Sequence, residues 1–249
     1  SGDENVTRSP TLATPPAVTT HFDAMRKLII AIIILGALGF LGYWGFELFR
    51  LEKSTKGKAK TTENLKLSKE LKSGDIIFQT SKSRQSKAIQ LATGSKYSHM
   101  GIVYNENGKL YVYEAIQPVK LTKLEDWINR GEKRHFVVKR LKNAESILTP
   151  EKLERMKSIG KKYNGKNYDI YFEWSDDKIY CSELVWKMYK EATGIEIGEI
   201  QKLSDFDLSN ELVRKIMKER YGEKIPLDEK VISPIAMFES NELETIIEK

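Results

Sequence analysis

Two apolar, β-rich runs meet at an Asn-Gly step in this chain. Ser98-His99-Met100-Gly101-Ile102-Val103-Tyr104 is followed by Asn105-Glu106-Asn107-Gly108 and then by Lys109-Leu110-Tyr111-Val112-Tyr113-Glu114-Ala115-Ile116. Asn-Gly between such runs predicts a β-hairpin, because the favoured two-residue turn needs positive φ at both central positions. Cross-strand partners then have position numbers with a constant sum, and side chains alternate between faces. If all four turn residues loop out, His99 lies opposite Glu114. If only Asn107 and Gly108 loop out, Gly101 faces Glu114 and His99 is its diagonal neighbour. Either register sets an imidazole beside a carboxylate, on a face where Glu114 is flanked by Val112 and Ile116. That pair reads in two ways, as an oriented base or as an ordinary hairpin ion pair at a guarded edge strand.

Cys181 is the sole cysteine. It stands in Tyr180-Cys181-Ser182-Glu183-Leu184-Val185-Trp186, after a polar loop and at the start of a helix-patterned run. A helix N-terminus offers unpaired N–H groups and the positive end of the helix dipole, which favour thiolate over thiol and can receive an oxyanion. A lone buried cysteine also serves as a small apolar filler. Of the three histidines, His21 lies in a Pro/Thr-rich leader and His135 opens a strand from a highly charged turn, where a surface role is expected. His99 remains as the base for a nucleophile.

The segments Gly74-Asp75-Ile76-Ile77-Phe78, Tyr97-Ser98-His99-Met100-Gly101-Ile102-Val103, Glu114-Ala115 and Tyr180-Cys181-Ser182-Glu183-Leu184-Val185 resemble those of the YiiX-like (YebB-like) cysteine hydrolases. These are circularly permuted papain-fold enzymes akin to NlpC-type cell-wall amidases and, more distantly, to the lecithin–retinol acyltransferase group. The histidine hairpin precedes the cysteine helix here, the reverse of ordinary papain-like order, as that permutation implies. The similarity spans about Lys72 to Leu243 and includes the tail Ile232-Ser233-Pro234-Ile235-Ala236-Met237-Phe238-Glu239-Ser240. It implies Cys181 as nucleophile, His99 as general base and acid, and Glu114 as third polar residue, without a metal or organic cofactor. The implied substrate is an amide or peptide bond, in peptidoglycan stem peptides or related small peptides. A lipid acyltransferase or thioesterase could use the same residues, and a catalytically dead, membrane-tethered binding module is the reading from another class.

The expected architecture is α+β, a permuted papain-like domain over 72–249 behind a basic linker (50–71), a membrane anchor or signal segment (25–49) and a leader (1–24) read as disordered and possibly non-native. From Leu28 to Phe46 the chain is uncharged and nearly all apolar, long enough at ~1.5 Å per residue to cross ~30 Å of hydrocarbon. Met25-Arg26-Lys27 before it resembles a start with a short basic region, and Tyr43-Trp44 resembles an interfacial anchor, so a single-pass anchor is expected. The basic flank after it favours a cytoplasmic domain, whereas the resemblance to wall enzymes favours an extracytoplasmic, periplasmic one; the outside is the expectation. Of the net charge of +6, half lies in the stretch through Lys60, and the charges after it are mixed in sign along helix faces, so nucleic acid is not implied.

Within the domain the pattern predicts a strand at Asp75–Gln79, a helix over Ser83–Thr93 ended by Gly94, and then the hairpin. Leu121-Thr122 is expected to open a short helix through Trp127, and Phe136–Leu141 alternates as a strand. Thr149-Pro150-Glu151 starts a helix to about Lys162, and Gly194 stops the Cys181 helix. Between the last two, a loop carries Tyr168, Tyr171, Phe172 and Trp174, which line a substrate cleft or form a satellite of the core. Tyr180 and Tyr97 flank the proposed catalytic residues, where a hydroxyl can assist an oxyanion or simply pack.

Overall fold

A computed structural model describes residues 19–249, apart from the side chains of 19–24, 32–34, 37, 54, 56–61 and 64. Most of the expected leader 1–24, and the side chain of His21, therefore lie outside the described residues. The elements in chain order are α1 (Thr19–Glu70), β1 (Ile76–Ser81), α2 (Arg84–Thr93), β2 (His99–Glu106), β3 (Lys109–Glu114), β4 (Lys120–Lys123), α3 (Leu124–Arg130) and β5 (Gly131–Leu141). They continue with α4 (Ala144–Ile147), α5 (Pro150–Tyr163), α6 (Cys181–Thr193), β6 (Gln201–Lys202), α7 (Glu211–Tyr221), β7 (Lys230–Val231), α8 (Pro234–Phe238) and β8 (Leu243–Glu248).

The chain divides into two compact units, one through Thr62 and the other from Glu63 to Lys249. In the first unit Leu35, Leu41 and Phe49 are exposed. The expected membrane crossing at 28–46 gains no support here. The helix that holds it runs on through Glu47, Arg50 and Lys53, and among the described residues no helix is long and apolar enough to cross a membrane.

Over the expected linker 50–71, α1 continues to Glu70. Its second half is rich in Lys, Glu, Leu and Thr and lacks proline, a composition that favours helix. Leu67 and Leu71 are buried at 3% and 1% exposure, so the segment at the start of the second unit is core rather than tether. Arg140 fixes it in place: its guanidinium donates to the Glu70 carbonyl (2.8 Å) and binds both oxygens of Asp75 (2.7 and 2.8 Å). The Asn105 amide donates to the carbonyls of Ser68 and Leu71 (2.9 and 3.0 Å). The second unit thus begins before Lys72, at Glu63.

The second unit is built on a six-stranded antiparallel sheet in the order β4-β3-β2-β1-β5-β8. Alternation in the strands divides the core. Ile76, Phe78, Met100, Ile102 and Val137 pack on one face beneath Met156, Ile159, Leu184 and Met188 of α5 and α6. Ile77, Val103, Val112 and Val138 pack on the other with Trp127 of α3 and with Leu67 and Leu71. The helix ends follow the signals in the sequence. Ser83 accepts the Ser86 N–H at 3.0 Å, Thr149 accepts the Lys152 N–H at 3.4 Å, and Gly94 and Gly194 close their helices at φ 63° and 82°.

Two boundaries differ from the expected ones. Leu121 and Thr122 lie in β4, paired with Tyr113 and Val112, and the helix starts at Leu124, where Glu125 and Asp126 occupy the first turn. The strand expected from Phe136 begins at Gly131, with Lys133 and Arg134 at positive φ (51° and 59°) before the apolar alternation starts.

Because Leu71 is core and not linker, Leu71→Ala is expected to lower unfolding free energy by about 2–4 kcal/mol, measured by urea denaturation of the full chain. A flexible linker would leave the midpoint unmoved.

Candidate active site

The hairpin adopts the shorter turn. Glu106 pairs with Lys109 and Ile102 with Tyr113, so the register carries Gly101 opposite Glu114 and leaves His99 as the diagonal neighbour. Asn107 and Gly108 have φ of 54° and 80°, the positive values an Asn-Gly turn supplies. Gly101 is required by close approach: a Cβ there would lie 2.5 Å from Val112 Cγ1 and 2.6 Å from the Tyr113 carbonyl oxygen.

His99 Nε2 lies 2.7 Å from Glu114 Oε2. Glu114 is fully buried, and an uncompensated carboxylate there would be costly. Three groups compensate it: His99 on one oxygen, and on the other the Thr122 hydroxyl (2.6 Å) and the Arg130 guanidinium. Burial alone would push the Glu114 carboxyl up, but these hydrogen bonds and the charge of His99 hold it down at about 2. Trp127 lies roughly parallel to the His99 ring, at 5.9 Å between centroids and 25° between planes. Thr122, Trp127 and Arg130 were not singled out in the sequence. Their signal was the strand-to-helix passage after Thr122, which a helix-only reading of Leu121–Trp127 concealed.

Cys181 is the first residue of α6 and is 2% exposed. The residues on either side of it are tied to one peptide segment. Tyr180 Oη accepts the Ile232 N–H (3.1 Å), and Ser182 Oγ donates to the Ile232 carbonyl (2.7 Å). Glu183, also buried, accepts the Tyr180 N–H at 3.4 Å and lies 2.8 Å from Lys187; burial raises its carboxyl to about 7. The Ile232 peptide thus holds the residues on either side of the thiol.

His99 also interacts with Cys181, while Glu114 occupies its Nε2 and leaves Nδ1 free. Burial lowers the imidazole's proton affinity, but hydrogen bonds and charge from Cys181 and Glu114 outweigh it and raise His99 to about 9. Burial likewise pushes the thiol up, but His99 and the backbone N–H groups of Met100 and Ser182 bring it below the ordinary range. The arrangement favours a thiolate beside an imidazolium. The stability signs are opposite for the two partners of the histidine. The protonated imidazole contributes fully below about 6.5 and its contribution is lost as pH rises through about 9. The Glu114 contribution is present above about 4.5 and lost as pH falls toward about 2.

The three tyrosines have different fates. The Tyr168 hydroxyl accepts from Gln85 Nε2 (3.0 Å), is pushed well up by burial and faces the Cys181 sulfur, toward which it can donate. Its loop is held by the buried Asp169 carboxylate, which accepts the N–H groups of Tyr171 (2.8 Å) and Glu173 (2.6 Å). Tyr180 contributes its ring to a groove beside Cys181, while its hydroxyl is engaged by Ile232. Tyr97 does not reach that groove; it stacks on Phe238 at 4.2 Å between centroids and packs against Phe78. Of the loop aromatics, Phe172 lines the groove, whereas Tyr171 packs on Tyr221 and Trp174 on Trp186. His135 is half-buried on β5, between Tyr97 and Glu248, rather than freely exposed.

An antiparallel sheet with a cysteine-bearing helix across one face and a histidine at the start of a neighbouring strand defines the papain-like class. The histidine strand comes first in sequence, which is the permuted order. A family model described as permuted papain-like amidase enzyme, YaeF/YiiX, C92 family, matches residues 70–247, and the chain belongs to this family. It is 51% identical over 173 residues to the uncharacterized protein YiiX of Escherichia coli (strain K12), covering 70% of this chain and 84% of that protein. A crystal structure described as metalloprotein YiiX from Escherichia coli O157:H7 superposes with a TM-score of 0.68 at 52% identity, covering 72% of this chain and 98% of that one. The α+β, permuted papain-like fold expected from the motifs is therefore the fold of the domain.

A thiolate held by His99 should alkylate well below the usual thiol pKa of ~8.5. Iodoacetamide labelling of Cys181 followed from pH 5 to 10 is expected to stay fast down to at least pH 6.5, and to slow about tenfold or more at pH 7 in His99→Ala. An ordinary thiol titration, unchanged by that substitution, would contradict the pair.

Proposed function

We propose that this protein is a cysteine hydrolase that cleaves an amide bond through an acyl-enzyme on Cys181. The observation that carries the reading is the continuous chain from thiol to His99 to the fully buried Glu114 carboxylate. Membership of a papain-like amidase family supports the same reaction type.

The Cys181 thiolate attacks the carbonyl carbon, and the oxyanion forms at the N-terminus of α6, where a helix leaves its first N–H groups without intrahelical partners. His99, already protonated, gives its proton to the leaving nitrogen as the C–N bond breaks. Water then adds to the thioester while His99 takes its proton, and the acid leaves as the thiolate re-forms. Glu114 keeps the imidazolium oriented, with Thr122 and Arg130 fixing Glu114 in turn. Tyr168 donates its hydroxyl hydrogen toward sulfur or the nearby oxyanion, held in place by Gln85.

The word metalloprotein belongs to the Escherichia coli O157:H7 protein. Among the described residues of this chain no three His, Cys, Asp or Glu side chains gather as a metal-binding group, and both Glu114 oxygens are engaged by His99, Thr122 and Arg130. The donor set does not fit a metal, and the mechanism runs without one. Anchoring to a membrane is also proposed, on the uncharged sequence from Leu28 to Phe46, and an extracytoplasmic domain on the resemblance to wall enzymes and the Met25-Arg26-Lys27 start.

Incubation with a p-nitroanilide or p-nitrophenyl acyl probe is expected to give a transient adduct on Cys181, seen as added acyl mass on the intact chain. Cys181→Ala and His99→Ala should each lose at least about 10³-fold in kcat/KM, and Tyr168→Phe about tenfold in kcat. Turnover that persists in Cys181→Ala would refute the acyl-enzyme. For the anchor, the full chain is expected to stay in the membrane pellet at alkaline pH in carbonate; release to the supernatant would contradict it.

A further inference from the structure

A hydroxyl donor must aim its hydrogen at the group it serves, yet a phenol O–H turns about its C–O bond. For Tyr168 the direction is set by the next two side chains along. Arg220, in the last turn of α7, donates from Nη2 to Gln85 Oε1 at 2.8 Å. A guanidinium only donates, so the carbonyl end of the Gln85 amide is the end bound to it. The amino end, Nε2, then faces the Tyr168 hydroxyl at 3.0 Å and donates to its oxygen. An amide nitrogen does not accept, so the Tyr168 hydrogen is turned away from Gln85 and toward the Cys181 sulfur, which the hydroxyl also meets.

An amide is a costly partner for Arg220. The side chain is half-buried, lies over the Phe172 ring at 5.5 Å, and burial pulls its guanidinium below the ordinary range. A cation in such a place is ordinarily matched by a carboxylate. The two carboxylates that act on it through space are engaged elsewhere. Asp169 holds the N–H groups of Tyr171 and Glu173, and Glu219 binds both terminal nitrogens of Arg84 at 3.0 and 2.9 Å. A glutamate in place of Gln85 would complete an ion pair with Arg220 and favour stability. It would also be a pure acceptor, and would draw the Tyr168 hydrogen to itself and away from sulfur. Glutamine forgoes the ion pair and keeps the hydroxyl aimed.

We propose that Arg220 and Gln85 are positioning residues for the reaction: Arg220 sets the orientation of the Gln85 amide, and the amide holds Tyr168 as hydrogen-bond donor to the Cys181 thiolate and to the oxyanion that forms beside it. The inference rests on the cysteine-hydrolase reading and deepens it. In the resting site Tyr168 donates to the thiolate. As sulfur attacks, the negative charge passes to the carbonyl oxygen, and the donor follows it because its only other direction, toward Gln85, is closed. Arg220 and Gln85 act through Tyr168 and need no contact with the reacting atoms.

The test measures kcat for p-nitrophenyl acetate on the full chain, counting only turnover lost in Cys181→Ala, with circular dichroism and urea midpoints reporting that each variant folds. Gln85→Glu is expected to lower kcat about tenfold, as much as Tyr168→Phe, while its urea midpoint holds or rises. Added to Tyr168→Phe, it should cost less than about twofold more. Arg220→Met should lose as much as Gln85→Glu, and Arg220→Lys, which still only donates, should stay within about threefold of the natural protein. Glu219→Gln breaks the neighbouring contact between the same two helices and is expected to leave kcat within about twofold. Full activity in Gln85→Glu or in Tyr168→Phe would overturn the relay. So would a Gln85→Glu loss that persists undiminished beside Tyr168→Phe, or an Arg220→Met loss matched by Glu219→Gln, since charge or helix packing would then account for it. If the ester is not turned over through Cys181, the hydrolase reading fails, and the relay is judged by iodoacetamide alone. The pH midpoint of Cys181 labelling is then expected to rise by about one unit in Gln85→Glu and in Tyr168→Phe, and no further in the double variant. An unmoved midpoint in either single variant overturns it.

Discussion

A carboxylate with no access to water must be surrounded by donors, and the burial of Glu114 imposes that condition on this domain. Its partners come from three elements: His99 from β2, Thr122 from β4 and Arg130 from the end of α3. Removing any one would leave charge or a lone pair unsatisfied in the interior. The short β4 strand, the turn into α3 and the position of Trp127 against the imidazole all follow from building that enclosure. The Gly101 position belongs to it as well, since β2 and β3 approach there too closely for a side chain.

The same enclosure governs the chemistry at the opposite nitrogen. With Nε2 committed to Glu114, Nδ1 is left for Cys181, and the imidazole is held protonated against the penalty of burial. The thiol is held from the other side by a different device, the Ile232 peptide gripping Tyr180 and Ser182 on either side of it. Two pieces of chain distant in sequence are thereby brought together at the site. Catalytic effectiveness in such pairs depends on that alignment.

Polar satisfaction also separates the site into two environments. Around His99 and Glu114 every hydrogen bond serves the ion pair, whereas along the groove the polar side chains are turned toward their own backbone or one another. A charged reaction centre thus borders a largely apolar wall that carries Arg220 and Tyr168. Low polarity there strengthens the electrostatics at the thiolate.

Local rules carried much of the outcome. The Asn107-Gly108 turn, the Ser83 and Thr149 caps and the stops at Gly94 and Gly194 are governed by backbone conformation and nearest hydrogen bonds, so they were legible in residues alone. Alternation then placed His99 and Glu114 on one face in either register, and the helix start marked Cys181. What the sequence could not express were relations between distant segments. It did not show that Leu67 and Leu71 are core, because their partners lie across the sheet. It did not show Thr122 and Arg130 closing on Glu114, Ile232 clamping the cysteine helix, or Tyr97 packing on Phe238 instead of facing the site. Nor could it choose between the two hairpin registers or reveal that the groove beside the thiol is apolar, since both depend on which side chains the folded chain brings together. The sequence by itself determined the hairpin, the helix ends at Ser83, Gly94, Thr149 and Gly194 and the identity of the reactive groups, because those are short-range consequences of covalent geometry and periodicity. Tertiary structure decided the register, the buried compensation of Glu114 and the shape of the groove, because burial is a property of the assembled fold.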